Sequence, residues 1–330
     1  MKAALVIPSA EGGTIEMHDV SVPTPTDGQV LVRVHASAIN RAEIARRKGQ
    51  YHRPGIDSMA PIASGSEFAG EVVAIGSGVT SHTSGDRVMG RCPSGGHAEF
   101  VAVDARAAIP IPHSMSFEEA ATIPNVFITA HDAIVTNGGL QRGETFLVNA
   151  ASSGVGIAAL QIARLLGANP VIGSSSSPAK LERMAEHGLT AAIDTSSEDL
   201  VQRIQEITSG RGVDLLIDNV GGEVLSENLK AMAILGRMVS VGRLGTTTGP
   251  LNLDQLAYKR VKLIGVTFRT RTGDEALECS RRFAEDLMPA FADGRLRGVV
   301  DRVFALDELL AAHDYMETNA HIGKIVIKIA

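Results

Sequence analysis

The chain has 330 residues, 44% of them hydrophobic and 21% charged, with a formal net charge of −6 at pH 7. This length allows two domains with substantial cores. The negative charge gives no electrostatic case for nucleic acid or an anionic membrane, and the N-terminal apolar run is too short for a signal peptide or membrane span. Cys92 and Cys279 cannot build a disulfide framework or a four-thiolate zinc site. We therefore expect a cytoplasmic protein.

Residues 1–120 are predicted to be mainly β. Short runs rich in β-branched residues at 4–7, 30–35, 71–75 and 100–103 are separated by Gly, Pro and Asp. Strands at this spacing favour a barrel-like antiparallel domain.

A strand end at residues 36–39 leads into a short helix, with Asn40 at the junction and Tyr51 further on. Polar groups at the exit of an apolar strand either line a cleft or cap the helix, and spacing alone favours capping. A second N-cap is predicted at Ser116, with Glu119 completing a capping box. A helix over 127–133 follows the break at Pro124.

Residues 145–167 predict a strand, a turn of small residues and a helix, the opening of a dinucleotide-binding unit. The glycine fingerprint is incomplete, because Ala151 and Ser153 stand where its first two glycines would be and only Gly156 keeps its place. The helix N-terminus offers free N–H groups and a positive dipole end to a pyrophosphate.

Strands at 170–173, 191–194, 213–218, 237–242 and 261–266 alternate with helices at 178–186, 200–208 and 225–233. This rhythm predicts a parallel sheet wrapped by helices, with its ligand beyond the carboxyl ends of the strands. The residues expected there are Ser152, Ser153, Gly154, Val155, Gly173, Ser174, Ser175, Asn219, Val220, Gly242 and Arg243.

The last sixty residues predict a helix over 274–293, a strand over 299–304, a helix over 307–317 and a strand over 324–329. This tail either closes the parallel sheet or returns to the first domain.

The segment after the second parallel strand indicates which dinucleotide binds. Residues 173–180 hold no carboxylate, the group that usually grips the ribose of NAD. Hydroxyl residues such as Ser175, together with Lys180, suit a 2′-phosphate. The sequence therefore favours NADP(H), although a serine-rich loop with a solvated lysine would look the same.

Several motifs in chain order resemble one family. They are Asn40-Arg41-Ala42-Glu43, Arg47-Lys48-Gly49-Gln50-Tyr51, Gly65 to Gly70, Ala150 to Gly156, Val213 to Gly222 and His321 to Val326. The chain resembles the zinc-independent medium-chain dehydrogenases/reductases over essentially its full length, in the NADPH:quinone oxidoreductase branch and nearest to its tumour-suppressor-inducible type. The resemblance implies an α/β protein with a β-rich GroES-like catalytic domain at 1–122 and 267–330. A Rossmann NADP-binding domain, with its doubly wound parallel sheet, would occupy 123–266. It also implies a homodimer through the last Rossmann strand, 261–266.

The resemblance also implies roles for single residues. Zinc relatives have Cys at the position of Asn40 and His at that of Ser66, so no metal is expected. Asn40 and Tyr51 would be the catalytic residues, with Tyr51 either a hydrogen-bond or proton donor or an aromatic wall. The expected cofactor contacts are Thr129, Phe268 and Arg269 at the nicotinamide end, Gly154 and Val155 at the pyrophosphate, Ser175 and Lys180 at the 2′-phosphate, and Lys324.

Two of these expectations carry an alternative. Lys324 would either reach the cofactor or form a structural ion pair. Thr195 stands where many relatives have a Tyr near the 2′-phosphate, which weakens the case for a strong NADP preference.

Three functions follow from these residues. The first is transfer of hydride from NADPH to a quinone, and the second is reduction of an activated alkene, either an enone or an enoyl thioester. The third is a non-enzymic NADPH-binding role, against which the retained Asn40 and Tyr51 argue. The sequence does not identify the acceptor.

Overall fold

The computed structural model describes residues 1–9, 13–50 and 60–330. Their internal contacts form two compact units, the first made of Met1–Asn125 and Phe268–Ala330 and the second of Val126–Thr267. The domain bounds expected at residues 122 and 267 stay a prediction, because a division by contacts does not test which fold each segment adopts. Within the described ranges, no helix is both long and apolar enough to cross a membrane.

The described elements follow one another along the chain. The strands are β1 (Lys2–Ile7), β2 (Thr14–Asp19), β3 (Gln29–Ala38), β4 (Ile62–Ala63), β5 (Glu67–Ile75), β6 (Arg87–Arg91), β7 (Phe100–Asp104), β8 (Ile109–Pro110), β9 (Phe146–Asn149), β10 (Val171–Ser175), β11 (Ala191–Asp194), β12 (Val213–Asp218), β13 (Met232–Ser240), β14 (Lys262–Gly265), β15 (Val300–Ala305) and β16 (Lys324–Lys328). The helices are α1 (Arg41–Arg47), α2 (Phe117–Ala121), α3 (Pro124–His131), α4 (Gly154–Leu165), α5 (Pro178–Glu182), α6 (Leu200–Ile207), α7 (Leu225–Ala231), α8 (Leu253–Lys259), α9 (Gly273–Ala292) and α10 (Leu309–Glu317).

The second unit is built on a six-stranded parallel sheet in the order β11-β10-β9-β12-β13-β14. Leu147, Ile172 and Leu216, from three neighbouring strands, are fully buried. The chain runs outward from β9 on one side and then from β12 on the other, so the strand order reverses between these two strands. A ligand of such a sheet binds at the reversal, beyond the carboxyl ends of the strands. The predicted α/β class and parallel sheet are confirmed.

One boundary in this sheet differs from the prediction. The helix expected over 225–233 ends at Ala231, and Met232 already belongs to β13 and pairs with Val213. Met232 and Ala233 are buried, so their apolar character comes from the sheet core and not from a helix face. The chain then bulges at Leu235, whose φ of 65° is left-handed, before regular pairing resumes at Arg237. The bulge interrupts the regular strand pattern before Arg237, and the sequence therefore predicts a strand that begins only at residue 237.

The first unit combines a seven-stranded sheet in the order β15-β16-β3-β5-β6-β8, with β7 paired to β3, and a three-stranded sheet in the order β2-β1-β4. Most pairs are antiparallel, as predicted, and Val32, Phe68 and Val88 pack in the core. The pair of β15 and β16 is parallel, because α10 connects the two strands as a crossover. β16 pairs with β3, with Val326 opposite Ala38, so the C-terminal tail returns to the first unit.

Candidate active site

Asn40 lies between β3 and α1 in the first unit. It occupies the N-cap position of α1, but its side chain makes no capping hydrogen bond. Instead its Nδ2 group donates to Glu67 Oε1 at 2.9 Å and to Ser66 Oγ at 3.2 Å. The capping role that spacing favoured is therefore wrong for this side chain, which belongs to a buried polar network.

Lys324 is the cation of this network and is 3% exposed. Its Nζ group donates to Ile39 O at 2.7 Å and to Asn40 Oδ1 at 2.6 Å, and it lies 2.8 Å from Glu67 Oε1. An ammonium group has three hydrogens, and these three acceptors use all of them. Of the two roles that the sequence left open, the structure shows the ion pair with Glu67, and a contact of Lys324 with the cofactor stays a prediction.

Glu43, on α1, extends the network. Ser66 Oγ donates to Glu43 Oε1 at 2.6 Å, and His97 Nε2 lies 3.0 Å from Glu43 Oε2. Burial raises the pKa of Glu43, but the neighbouring His97 and the hydrogen bonds from His97 and Ser66 outweigh it and lower the pKa to about 2. The Glu43 carboxyl is therefore ionised at neutral pH. Ser66 is half-buried and is the network member most open to solvent.

The donor atoms near Asn40 do not suit zinc. Asn40 and Ser66 are neutral, and the ammonium group of Lys324 already bonds the Asn40 oxygen. Burial, followed by the charges of Glu43 and Glu67, raises the pKa of the Cys92 thiol. Among the described residues, no group of three or more His, Cys, Asp or Glu side chains is arranged to hold a metal ion.

The remaining candidates of the first unit are Tyr51, Phe268 and Arg269. Tyr51 lies outside the described residues, so its role stays a prediction. The ring of Phe268 contacts two guanidinium groups, with Arg91 Cζ 3.7 Å and Arg271 Cζ 4.9 Å from the ring centroid. Arg269, the next residue in the chain, is exposed.

In the second unit, the turn after β9 brings the start of α4 close to the sheet. Ala150 adopts a left-handed φ of 52°, and the Ser153 hydroxyl caps α4 by accepting from Gly156 N at 3.0 Å. A Cβ on Gly156 would lie 2.4 Å from Ala150 O, so only glycine fits there. The N–H groups of Gly154 and Val155 belong to the first helical turn and have no acceptor within the helix. The turn therefore presents donors suited to a phosphate.

The end of β10 holds the serines expected at the cofactor. Ser174 is buried, and its hydroxyl donates to Asn149 Oδ1 at 2.9 Å, so this hydroxyl supports the neighbouring strand. Ser175 is half-buried and accepts from Ser177 N at 3.2 Å. Gly173 also packs tightly, since a Cβ there would lie 2.8 Å from that of Ala151.

Lys180, on α5, and Asp194, at the end of β11, flank this serine-rich turn. Lys180 is half-buried, whereas Asp194 pairs in register with Ser175. The Asp194 carboxylate accepts the hydroxyls of Ser196 and Ser197, which lower its pKa together with the N–H of Ser196. Asp194 lies outside residues 173–180, and only the pairing of β10 with β11 brings its carboxylate to this turn.

Asn219 and Val220 follow β12 at the strand-order reversal. Asn219 Nδ2 donates to Asn149 O at 3.0 Å, and Val220 N donates to Asp218 Oδ1 at 2.9 Å. Burial raises the pKa of Asp218, against the opposing effect of its backbone donors. A Cβ on Gly242 would lie 2.4 Å from Asn219 O, so the ends of β12 and β13 meet closely. Arg243 follows Gly242 and is exposed, and Thr129 of α3 is half-buried.

Each unit thus gathers its own set of candidates. The second unit places those of the α4 turn, β10, β12 and β13 at the carboxyl edge of one sheet. The first unit joins Asn40 and Lys324 through charged residues that the sequence did not single out as site residues. The missed members are Glu43, Glu67 and His97 in the first unit and Asn149, Asp218 and Asn228 in the second.

Comparisons with known proteins match this chain to dehydrogenase domain families and to quinone oxidoreductases. Residues 26–113 match the alcohol dehydrogenase GroES-like domain, and residues 154–285 match the zinc-binding dehydrogenase domain. The chain is 33% identical to a synaptic vesicle membrane protein VAT-1 homolog of Rattus norvegicus, with 92% of this chain and 78% of the relative covered. It is 30% identical to a quinone oxidoreductase of Rattus norvegicus, with 94% and 92% covered.

Two solved structures share the fold over nearly all of both chains. The Escherichia coli quinone oxidoreductase complexed with NADPH has a TM-score of 0.89 and 26% identity, with 99% of this chain and 100% of that chain covered. The CurK enoyl reductase has a TM-score of 0.87 and 27% identity, also with 99% and 100% covered.

Proposed function

The chain belongs to the quinone oxidoreductase-type branch of the medium-chain dehydrogenase/reductase family, and we propose that it reduces quinones with NADPH and without zinc. The observation that carries the proposal is the ammonium group of Lys324, 2.6 Å from Asn40 Oδ1. At the position where zinc relatives bind their metal, this chain holds an ammonium group bonded to a neutral amide. A quinone suits such a site because it accepts hydride without a Lewis acid to polarise it.

Several residues of the second unit fit NADP(H). When bound, the cofactor supplies the hydride. The N–H groups of Gly154 and Val155 would hold its pyrophosphate, next to Gly156, where a Cβ would fill the space. Ser175 and Lys180 would hold the 2′-phosphate. The further contacts proposed are Thr129, Ser153, Gly173, Ser174, Asn219, Val220, Gly242 and Arg243 in this unit, and Phe268 and Arg269 in the first.

The first unit supplies a rigid polar wall for the acceptor. Asn40 is fixed at both ends of its amide, by Lys324 on the oxygen and by Glu67 on the nitrogen. Ser66 is held by the ionised Glu43. We propose that this arrangement positions the acceptor, and that Tyr51 either donates a hydrogen bond or proton to it or forms an aromatic wall.

A second candidate function is reduction of an activated alkene, an enone or an enoyl thioester. The similarity to the CurK enoyl reductase supports this alternative. Such a reaction needs a dependable proton donor at the α-carbon, a role that would fall to Tyr51.

The test follows NADPH oxidation by absorbance with 1,4-benzoquinone, 9,10-phenanthrenequinone, an enone and crotonyl-CoA. We expect the quinones to turn over fastest, NADH to replace NADPH poorly, and activity to survive a chelator in protein that elemental analysis shows to lack zinc. Fast crotonyl-CoA turnover that is lost in Tyr51→Phe would move the protein to the enoyl reductases. NADPH binding without any turnover would favour the non-enzymic role.

We also propose a homodimer through β14. This strand is the last of its sheet, and its Leu263 side chain is 42% exposed, which leaves an apolar edge uncovered. Light scattering should give the mass of two chains, and Leu263→Lys should shift the protein towards a monomer. A monomer in both cases would contradict the proposal.

A further inference from the structure

Ser66 is the member of the first unit's polar network that is most open to a ligand. Its side chain is half-buried, whereas Asn40, Glu43 and Glu67 are buried. A serine hydroxyl has one hydrogen to donate and two lone pairs that accept. The partners that already hold the Ser66 hydroxyl therefore decide whether it can donate to a ligand or only accept from one.

The single hydrogen of the Ser66 hydroxyl is directed at Glu43. Ser66 Oγ lies 2.6 Å from Glu43 Oε1, while His97 Nε2 lies 3.0 Å from the other carboxyl oxygen of Glu43. Because the Glu43 carboxyl is ionised and has no hydrogen of its own, Ser66 must be the donor in this contact. Hydrogen bonds to a charged acceptor are roughly twice as strong as those between neutral groups, so a neutral ligand does not draw this hydrogen away.

One of the two lone pairs of Ser66 is also occupied. Asn40 Nδ2 lies 3.2 Å from Ser66 Oγ. The orientation of the Asn40 amide is fixed at its other end, because the ammonium group of Lys324, which can only donate, lies 2.6 Å from Asn40 Oδ1. The amide therefore turns its NH2 group towards Ser66, and one lone pair of the hydroxyl remains for a ligand.

We propose that Ser66 determines specificity for the electron acceptor by accepting a hydrogen bond from a neutral donor, a hydroxyl or amine group, on a substituent of the quinone ring. The inference rests on the proposed quinone reduction. A carbonyl or ether oxygen at the same place would set one lone pair against another and gain nothing from the contact. Glu43 and Asn40 are positioning residues here, since the first holds the Ser66 hydrogen and the second occupies one lone pair.

The test uses 1,4-naphthoquinones that carry a hydroxymethyl, ethyl, methoxymethyl or propyl group. Hydroxymethyl matches ethyl in size, methoxymethyl matches propyl, and the alcohol and the ether have nearly the same inductive effect on the ring. The double ratio of kcat/KM, alcohol over ethyl divided by ether over propyl, therefore isolates the O–H donor. We expect about fivefold in favour of the alcohol in wild-type protein, which is what one neutral hydrogen bond supplies.

Ser66→Ala should remove this preference. Ser66→Cys should also remove most of it, because sulfur is a weak acceptor, and it keeps the size of the side chain next to Glu43. Ser64→Ala is the matched control, because Ser64 is buried and its hydroxyl has no hydrogen-bond partner within the described ranges. This control should keep the wild-type double ratio.

A wild-type double ratio of one or less, or a ratio that survives both changes at Ser66, would overturn the proposal. If Ser66→Ala raises KM for NADPH and leaves the ratio unchanged, the hydroxyl serves the cofactor instead. If no quinone of the set is reduced, the proposed function fails, while binding measured by calorimetry still decides this inference. The alcohol should then bind about fivefold more tightly than the ether to wild-type and Ser64→Ala protein, and no more tightly to Ser66→Ala.

Discussion

The two units each contain a buried polar network at the ends of strands, but the networks differ in charge. In the first unit, Glu43, Glu67 and Lys324 are charged and share their partners with Asn40. In the second unit, Asn149 is the centre of a network of amides and hydroxyls with one carboxylate. Its partners are Ser174, Asp218, Asn219 and Asn228.

The difference reflects what each network must hold. In the second unit, neutral side chains fix strand ends whose backbone N–H groups face the proposed cofactor, and such hydrogen bonds contribute about 1 kcal/mol each. In the first unit, charged side chains hold the Asn40 side chain in place. A buried charge that loses its partner destabilises a protein by far more than the loss of one neutral hydrogen bond. The charged network should therefore be the more fragile of the two, and the first unit the more sensitive to single changes.

The largest expected effect is the loss of the buried cation. Lys324→Met removes the ammonium partner of the buried Glu67 carboxyl, so we expect the free energy of unfolding in urea to fall by about 3–5 kcal/mol. Lys328→Met is the matched control, because Lys328 is exposed on the same strand, β16, and should change stability by less than about 0.5 kcal/mol. The double variant Glu67→Gln/Lys324→Met should recover much of the loss. Equal effects at positions 324 and 328 would show that the ion pair does not support this unit.

The second prediction concerns pH. His313 is fully buried, neither ring nitrogen has a partner among the described residues, and burial lowers its pKa from 6.5 to about 4. Between these two pKa values the unfolded chain binds a proton at His313 and the folded chain does not. The stability that the neutral His313 side chain contributes is therefore complete above pH 6.5, and it is lost as the pH falls towards 4. The full loss is about 3 kcal/mol. Glu43 adds a further loss of stability as the pH falls from 4.5 to about 2, because folding lowers the pKa of its carboxyl from 4.5 to about 2.

The measurement is the urea midpoint of wild type and His313→Leu between pH 7 and about pH 4.5. The variant should lose most of the slope that the wild type shows. The second unit should respond in the opposite direction at lower pH, because burial raises the pKa of Asp218 and ionisation of this carboxyl weakens the fold. Parallel slopes for wild type and variant would contradict the role given to His313.

The sequence predicted the second unit well because its signal is local. Each parallel strand is a short apolar run, and the turn at Ser153 to Gly156 carries its own chemistry. The first network could not be predicted in the same way. Asn40, Glu67, His97 and Lys324 are far apart in the chain, and only the pairing of β3 with β5 and β16 brings three of them together.

The limits of local reasoning also appear at single residues. Asn40 stands at an N-cap position, where its type is favoured, yet the nearby charges of Glu67 and Lys324 draw its side chain away from the helix. Asp194 was not expected at the site for a similar reason. It is far from Ser175 in the chain, and only the parallel register of β10 and β11 places the two residues side by side. Resemblance to a family supplied Lys324 as a candidate, but not its partners.

A third prediction tests the neutral network. Asn149→Ala removes the partner of the Ser174 hydroxyl and of the Asn228 amide oxygen. We expect a loss of about 1–3 kcal/mol in the urea experiment, the cost of leaving buried polar groups unpaired. A loss larger than that of Lys324→Met would reverse the ranking of the two networks.

The smallest effect separates stability from cofactor binding. Ser116 and Ser153 are both N-caps, accepting from Glu119 N at 3.1 Å in the first unit and from Gly156 N at 3.0 Å in the second. Either Ser→Ala change should cost about 1 kcal/mol in unfolding free energy. Only Ser153→Ala should also raise the dissociation constant of NADPH, measured by fluorescence, because it loosens the turn that presents Gly154 and Val155. Equal NADPH affinity in both variants would mean that the α4 turn holds its shape without the cap, and that its backbone packing at Gly156 is sufficient.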